Sequence, residues 1–340
     1  MNRSSSPRLA DVARAAGVSL ATASRALSEP EMVREDTRGR VLQAAGMLSY
    51  VPHGAARALV TRRTRTIGAV FPPVDNPIFA SATHALAQEL SAAGYTLLLA
   101  SHDYDLAAEL AATKALVERG VDGMVLIGLD RLPETYGVLA RANVPYEVTW
   151  SLDGAGHHHC VGLSHRSASI RVTQHLIDLG HRQFAVIAGD TRGNDRTRER
   201  LAGVRDALAA RGLKLPAKRV VEATFSLANG RAALATLLDR APGFTAVIGG
   251  NDPLAIGALL ECRVRGIDVP REMSITGFDD IELAAELAPG LTTVRVPSAD
   301  IGRAAAERLL ARIAGKRVPQ LKEMGAPLIV RGTTAPPPKN

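Results

Sequence analysis

Two arginines stand four residues apart in the run Asp195-Arg196-Thr197-Arg198-Glu199-Arg200, which follows a Gly193-Asn194 turn signal. On a helix, residues four apart share a face. At a helix N-terminus the free backbone N–H groups and the dipole favour negative charge. Arg196 and Arg200 in that setting make a site for a small anion, a carboxylate above all. The plain alternative is that Arg196 and Arg198 pair with Asp195 and Glu199 on the surface. A second concentration of charge opens the chain: residues 1–65 hold eleven arginines against five acidic residues, a net +6 out of +7 for the whole. A basic head on a nearly neutral body suits a partner made of phosphates, and a solvated basic face would have the same composition.

Other chemistries find no support. There is no G-x-S-x-G elbow, Walker loop or dinucleotide fingerprint. His157-His158-His159-Cys160 has metal-ligand residue types, but neighbours in an extended loop alternate in direction and do not converge. No metal, no cofactor and no enzymatic activity are therefore expected. Cys160 and Cys262 are the only cysteines, too few for a disulfide framework. No apolar run reaches the length of about 18 residues that a membrane span needs, and Met1–Arg8 lacks the apolar core of a signal peptide. A cytoplasmic protein is expected. A transport-type solute-binding protein would show the reverse, a signal peptide and no basic head.

The elements that must position these residues can be read from periodicity. A length of 340 residues implies two or three domains. Hydrophobic residues make up 46% but aromatics only 4%, so the cores rest on Ala, Leu, Val and Ile. Residues 9–48 read as three short helices, with Val12 and Ala16, Ala23 and Leu27, and Val41, Ala45 and Leu48 on their inner faces. Gly17-Val18 makes the first turn and Ser19 is a natural N-cap for the second helix; Glu35 opens the third. Tyr50-Val51-Pro52 ends it, because the residue before proline leaves the α region. From Ile67 onward, short apolar runs (Ile67–Phe71, Thr96–Ala100, Gly123–Ile127, Tyr146–Val148, Phe184–Ala188, Val220–Thr224, Ala246–Gly249, Ser274–Thr276) alternate with helical stretches such as Ile78–Ala93 and Arg198–Arg211. This alternation is an α/β pattern: two Rossmann-like lobes of parallel sheet covered by helices on both faces, with ligands at the strand C-termini. Trp150, the only tryptophan, ends the fourth strand and is expected to face a cleft there or to be core.

The head resembles a known family. Asp11-Val12-Ala13, Ala16-Gly17-Val18-Ser19, Thr22 and Ser24-Arg25 match the D-V-A-x-x-A-G-V-S-x-x-T-x-S-R run of the lactose-repressor (LacI/GalR) family. Thr37-Arg38-Gly39-Arg40-Val41, Tyr50-Val51-Pro52 and Ala56-Arg57-Ala58-Leu59 match its later T-R-x-x-V, Y-x-P and A-R-x-L motifs. The resemblance implies a helix-turn-helix head over residues 1–62, with a hinge at 52–62. An effector-binding and dimerisation domain over 63–340 would have the fold of periplasmic binding proteins. Lobe one would comprise about 66–164 and 292–326, and lobe two about 165–291 and 327–336. It further implies a repressor that binds a palindromic operator as a homodimer. In such a head Arg25 can donate a bidentate pair to guanine. Leu20 and Ala21 make apolar contacts, and Ser19, Thr22 and Ser24 suit phosphate oxygens. By the resemblance Leu59 is a minor-groove wedge, with Ala56 and Arg57 on the same segment.

Several cleft positions also match. Asn76-Pro77-Ile78-Phe79 follows the first strand as the family's N-P-x-F does, and Arg200-Leu201-Ala202-Gly203 matches an R-x-x-G whose arginine holds effector oxygens. Phe225 stands where an aromatic stacks on ligand, Asn251-Asp252 ends a strand, and in Gly277-Phe278-Asp279-Asp280 the first aspartate, Asp279, is the one that accepts hydroxyls. Arg196-Thr197 and Glu261-Cys262 resemble the gluconate-repressor branch. The expected effector is therefore a sugar acid such as gluconate, with a neutral sugar or a nucleobase as the alternative.

Overall fold

The computed structural model describes residues 7–51, 63–73 and 77–339, which fall in two compact units divided after Arg65. The expected boundary lies three residues earlier, and the hinge segment 52–62 is outside the described residues.

In the head, α1 (Leu9–Ala16) ends at Gly17, whose φ of +65° is the left-handed conformation that lets Val18 N donate to Ala13 O at 3.0 Å. Helix α2 (Leu20–Ser28) begins at Ser19, whose Oγ accepts from Thr22 N at 3.1 Å. Helix α3 (Glu35–Met47) closes over both. The core is Val12, Ala13, Ala16, Ala23, Ala26, Val41, Ala44 and Ala45, which is small enough to bring three short helices close together. Burial of Ala23 and Ala26 on one face of α2 turns Leu20, Ala21 and Arg25 outward.

The larger unit has two parallel sheets. One runs β11-β5-β4-β3-β1-β2, built from β1 (Thr66–Phe71), β2 (Thr96–Ser101), β3 (Gly123–Ile127), β4 (Tyr146–Trp150), β5 (Cys160–Gly162) and β11 (Leu321–Glu323). The other runs β7-β6-β8-β9, from β6 (Phe184–Ala188), β7 (Val220–Glu222), β8 (Ala246–Gly249) and β9 (Ser274–Thr276). The antiparallel pair β10 (Thr293–Val294) and β12 (Leu328–Ile329) lies where the chain returns between lobes.

The central strands of each sheet are buried on both faces, and the alternation of side chains shows how. Ile67, Ala69 and Phe71 pack with α4 (Pro77–Ala92) and α12 (Ser298–Ile313). Val70 turns to the opposite face, against Leu116 of α5 (Leu106–Glu118) and Leu139 of α6 (Pro133–Arg141). In the second lobe Phe184, Val186 and Ala188 face α7 (His165–Asp178) and α8 (Asp195–Ala209). Ala185 and Ile187 face α9 (Leu227–Arg240) and α10 (Asp252–Arg265). The short α11 (Glu282–Glu286) contributes Ala284 to that second core. The tail stays packed: Thr333 is fully buried and its O accepts from Ile275 N.

Strands β5, β10, β11 and β12, and helices α6, α9, α11 and α12, are not among the elements read from the sequence. The strands have two or three residues each, too few for a period to register. Helices α4 and α12 cross so closely that a Cβ on Gly302 would lie 2.2 Å from Ala82 O. Gly302→Ala is expected to cost about 1–3 kcal/mol through overpacking, read as a lower denaturation midpoint at unchanged m. An unchanged midpoint would show that the two helices separate freely.

Candidate functional site

On the head, Leu20 is 54% exposed and Ala21 and Arg25 also face solvent, whereas Thr22 and Ser24 are half-buried. Ser19 is engaged as the N-cap, and its Oγ lies 2.8 Å from Thr22 Oγ1. Either hydroxyl still has capacity for a phosphate oxygen. Arg40 stays with the fold, donating to Ala16 O at 3.1 Å. Arg14 and Arg40 each lie near an aspartate, Asp11 and Asp36. The outward edge of α2 therefore offers one guanidinium, Arg25, beside two apolar side chains. Ala56, Arg57 and Leu59 lie outside the described residues.

In the larger unit, eight of the nine expected effector residues line one compartment between the lobes; the ninth, Asn76, lies outside the described residues. Phe79 on α4 and Trp150 at the end of β4 come from the first lobe. Arg196, Thr197 and Arg200 stand on the first turns of α8, and Phe225, Asn251 and Asp279 follow β7, β8 and β9. All sit at strand C-termini or on the helices that follow them, where parallel sheets leave backbone ends and helix N-termini open.

Arg196 is not a surface charge. It is buried, bonded through Nη1 to Asp195 at 3.0 Å, and lies against Gly128, where a Cβ would fall 1.8 Å from that nitrogen. Arg198, by contrast, pairs with Asp130 of the first lobe, Nη2 to Oδ1 at 2.6 Å, and not with Glu199. Arg200 is held on every side. Its Nε donates to His165 Nδ1 at 3.1 Å, Nη1 donates to Gly250 O at 2.6 Å, and Nη2 lies 3.6 Å from Asp279. Its Cζ stands 3.8 Å above the Phe278 ring, a cation–π contact. Burial lowers the His165 pKa well below its usual value, helped by Arg200 and Arg196. The ring is thus neutral, with Nδ1 accepting from Arg200 and Nε2 donating to Trp150 O at 2.9 Å.

Burial also pushes Asp279 up to about 7, against the opposing pull of Arg200, with Asp252 reinforcing the rise. Asp252 itself is raised to about 6 by burial despite bonds from Thr293 and Ile281 N. Asn251 Oδ1 caps α10 by accepting from Leu254 N. Trp150 is buried edge-on against Phe79, with ring centroids 5.1 Å apart. It is therefore not a platform lying over the cleft, and its indole N–H has no partner among the described residues.

Ile78, Tyr104 and Asn194 also line the compartment and had not been singled out. Tyr104 could have been found, since it lies just beyond β2, where the strand C-terminus rule already pointed. Asn194 is the N-cap of α8, accepting from Thr197 N.

An outward-facing recognition helix on a basic three-helix head, in a chain that continues into a two-lobed cleft domain, defines a helix-turn-helix regulator with a sensor. The chain belongs to the lacI family of bacterial regulatory proteins. That family's model matches residues 8–53, and a periplasmic binding protein-like domain matches 173–334. It is 38% identical over 97% of its length to an HTH-type regulator in the aml 5′ region of Streptomyces limosus, covering 95% of that protein. It is 33% identical to the HTH-type transcriptional regulator GntR of Pseudomonas aeruginosa, covering 96% of each. Among solved structures, the lac repressor dimer bound to operator and an anti-inducer aligns with a TM-score of 0.87 at 26% identity, covering 97% of this chain and 99% of that one. The protein is thus a DNA-binding transcription regulator, and its relatives are regulators rather than enzymes. No described helix is long and apolar enough to cross a membrane.

Two outcomes follow. Arg25→Ala should relax base preference at one position per half-site, costing about 1–3 kcal/mol, measured on sites selected from a random DNA library. An equal loss for all sequences would make Arg25 a phosphate contact. For Asp279, the unfolded chain ionises the carboxyl near pH 4 and the folded chain near 7. Its contribution to stability is therefore full below pH 4 and is lost as pH rises through 7, on the order of 4 kcal/mol in all. Asp279→Asn should flatten that part of the melting temperature against pH. Parallel profiles for the two proteins would show that Asp279 does not titrate there.

Proposed function

We propose that the protein is a repressor that binds a palindromic operator as a homodimer and responds to a small sugar acid, gluconate-like in its carboxylate end. The observation that carries the effector reading is that Arg196 and Arg200 line one compartment between the lobes together with Trp150, whose indole N–H has no partner among the described residues. These are donors without intrinsic acceptor capacity, and a carboxylate supplies four lone-pair sites to match them. Asp279, beside Arg200, and Asn251 line the same compartment and can take hydroxyls, which a sugar acid also brings. The likeness to a relative named GntR is in keeping with an acid. The dimer follows the operator-bound lac repressor, whose chain this one matches along nearly its full length. The residues proposed to meet DNA are Ser19, Leu20, Ala21, Thr22, Ser24 and Arg25, together with Ala56, Arg57 and Leu59.

The test compares an acid with its neutral counterpart. A ligand at about a hundred times its Kd stabilises by about 2.7 kcal/mol, so gluconate should raise the melting temperature clearly and glucose should not. Arg196→Met and Arg200→Ala should each remove the response while DNA binding by the full chain persists. Equal shifts for acid and neutral sugar, or an intact response in both variants, would overturn the acid reading.

A further inference from the structure

The cleft has a second, larger compartment. The inner one, around Arg196 and Asp279, has a free volume of about 20 Å³, room for little more than one water. The outer one has about 350 Å³, within the size range of small-molecule sites. Tyr104, Asn194 and Phe225 line both, so the two adjoin. The rings of Tyr104 and Phe225, 6.0 Å apart between centroids, stand at their shared boundary. Phe225 is packed onto Gly189, where a Cβ would come within 2.3 Å of its ring. Tyr104 and its neighbour Asp103 both have left-handed backbones, φ +64° and +45°, an unfavourable pairing for non-glycine residues that is found where side chains must be aimed.

The two compartments differ in character. Inside, among the described residues, stand two guanidinium groups, with Asp279 beside that of Arg200. Outside, among the described residues, the walls include Pro73, Pro77, Pro253 and the two aromatic rings, and the acids are Asp103 and Asp190. Asp190 accepts from Arg192 N at 2.9 Å, and that bond holds its carboxyl below the usual range, so it stays ionised. A molecule that fills both therefore has an anionic end that fits a narrow inner space. Its larger, neutral end has an apolar face for the rings and hydroxyls for the two carboxylates. A bare ammonium would suit the acids but would leave most of the apolar wall uncovered.

Building on the acid reading above, we infer that the effector is a glycosylated sugar acid: an aldonic acid whose carboxylate enters the inner compartment while a neutral pyranose ring occupies the outer one. The C–H face of the pyranose lies on Phe225 and Tyr104, and its hydroxyls donate to Asp103 and Asp190.

Calorimetry on the full chain tests this with gluconate, three aldobionic acids (maltobionate, cellobionate and lactobionate) and the neutral disaccharides maltose, cellobiose and lactose. At least one aldobionic acid should bind tenfold or more tightly than gluconate and than its own neutral disaccharide. Asp103→Asn with Asp190→Asn, both substitutions at the rim and away from the cores, should shrink the margin over gluconate severalfold. Phe225→Ala should shrink it further. If gluconate binds as tightly as every aldobionic acid, the extended effector is wrong and the acid reading stands. If a neutral disaccharide binds as tightly as its acid, the acid reading fails while the outer compartment is upheld. Absence of binding by all seven overturns both.

Discussion

One carboxylate organises the cleft. Asp195, the first residue of α8, accepts from Ser151 Oγ at 2.6 Å, Leu129 N at 3.2 Å and Arg196 Nη1 at 3.0 Å. The first two donors belong to the lobe that carries β3 and β4, and the third to its own helix. A buried charge is costly unless it is paired and hydrogen-bonded. Here three donors and the N-terminus of α8 satisfy it together. The same bonds that join the lobes also aim Arg196. They can do so only because position 128 has no Cβ, which would occupy the space of the guanidinium. The pair Arg198–Asp130 ties the same two elements at the rim, but Arg198 is half exposed there, and exposed pairs contribute little.

What lies behind Arg196 keeps the charge count of the inner compartment low. Burial, with help from Arg196 and Arg131, lowers His102 to about 4, so it is neutral at physiological pH. Arg131 is buried against Glu109 at 3.4 Å and donates to Gly128 O at 2.7 Å. Burial raises the Glu109 carboxyl and Arg131 draws it back. The inner compartment is left with Arg196 against Asp195 and Arg200 against Asp279, and Asp279 is poised near neutrality. Such a site selects by the placement of donors more than by net charge, which is why loss of a single hydrogen-bonding group matters there more than a change of surface charge.

Much of the order of elements was legible from sequence, though two long helices, α9 and α12, were passed over. The run from Ile67 to Phe71 could be placed because a strand buried on both faces is continuously apolar. Cys160–Gly162, at three residues, could not. Arg196 was legible as a charged residue beside Arg200, but its burial was not. The same letters, Asp-Arg-Thr-Arg-Glu-Arg, fit a solvated helix start, and only Gly128, sixty-eight residues away, makes room for the side chain inside. Trp150 was placed correctly at a strand end, yet its orientation depends on Phe71 and Phe79 meeting it edge-on, and no local pattern encodes that. Tyr104 went unnoticed because His102-Asp103-Tyr104-Asp105 reads as an ordinary polar turn.

The walls of the inner compartment come from both lobes, and this limits how a ligand can act on the molecule. A ligand shifts an arrangement of lobes only by the difference in its affinity for the two arrangements. With about 20 Å³ free in this arrangement, a group bulkier than a carboxylate pushed past Tyr104 must separate Trp150 from Arg200. It would then work against the bonds of Asp195. A group that fits leaves those bonds intact and adds its own across the same gap. Coupling between ligand and DNA sites is typically about 1–3 kcal/mol, and one hydrogen bond to a charged group is worth about 1.5–3 kcal/mol. Making or breaking one of the bonds of Asp195 is therefore of the size that such coupling involves.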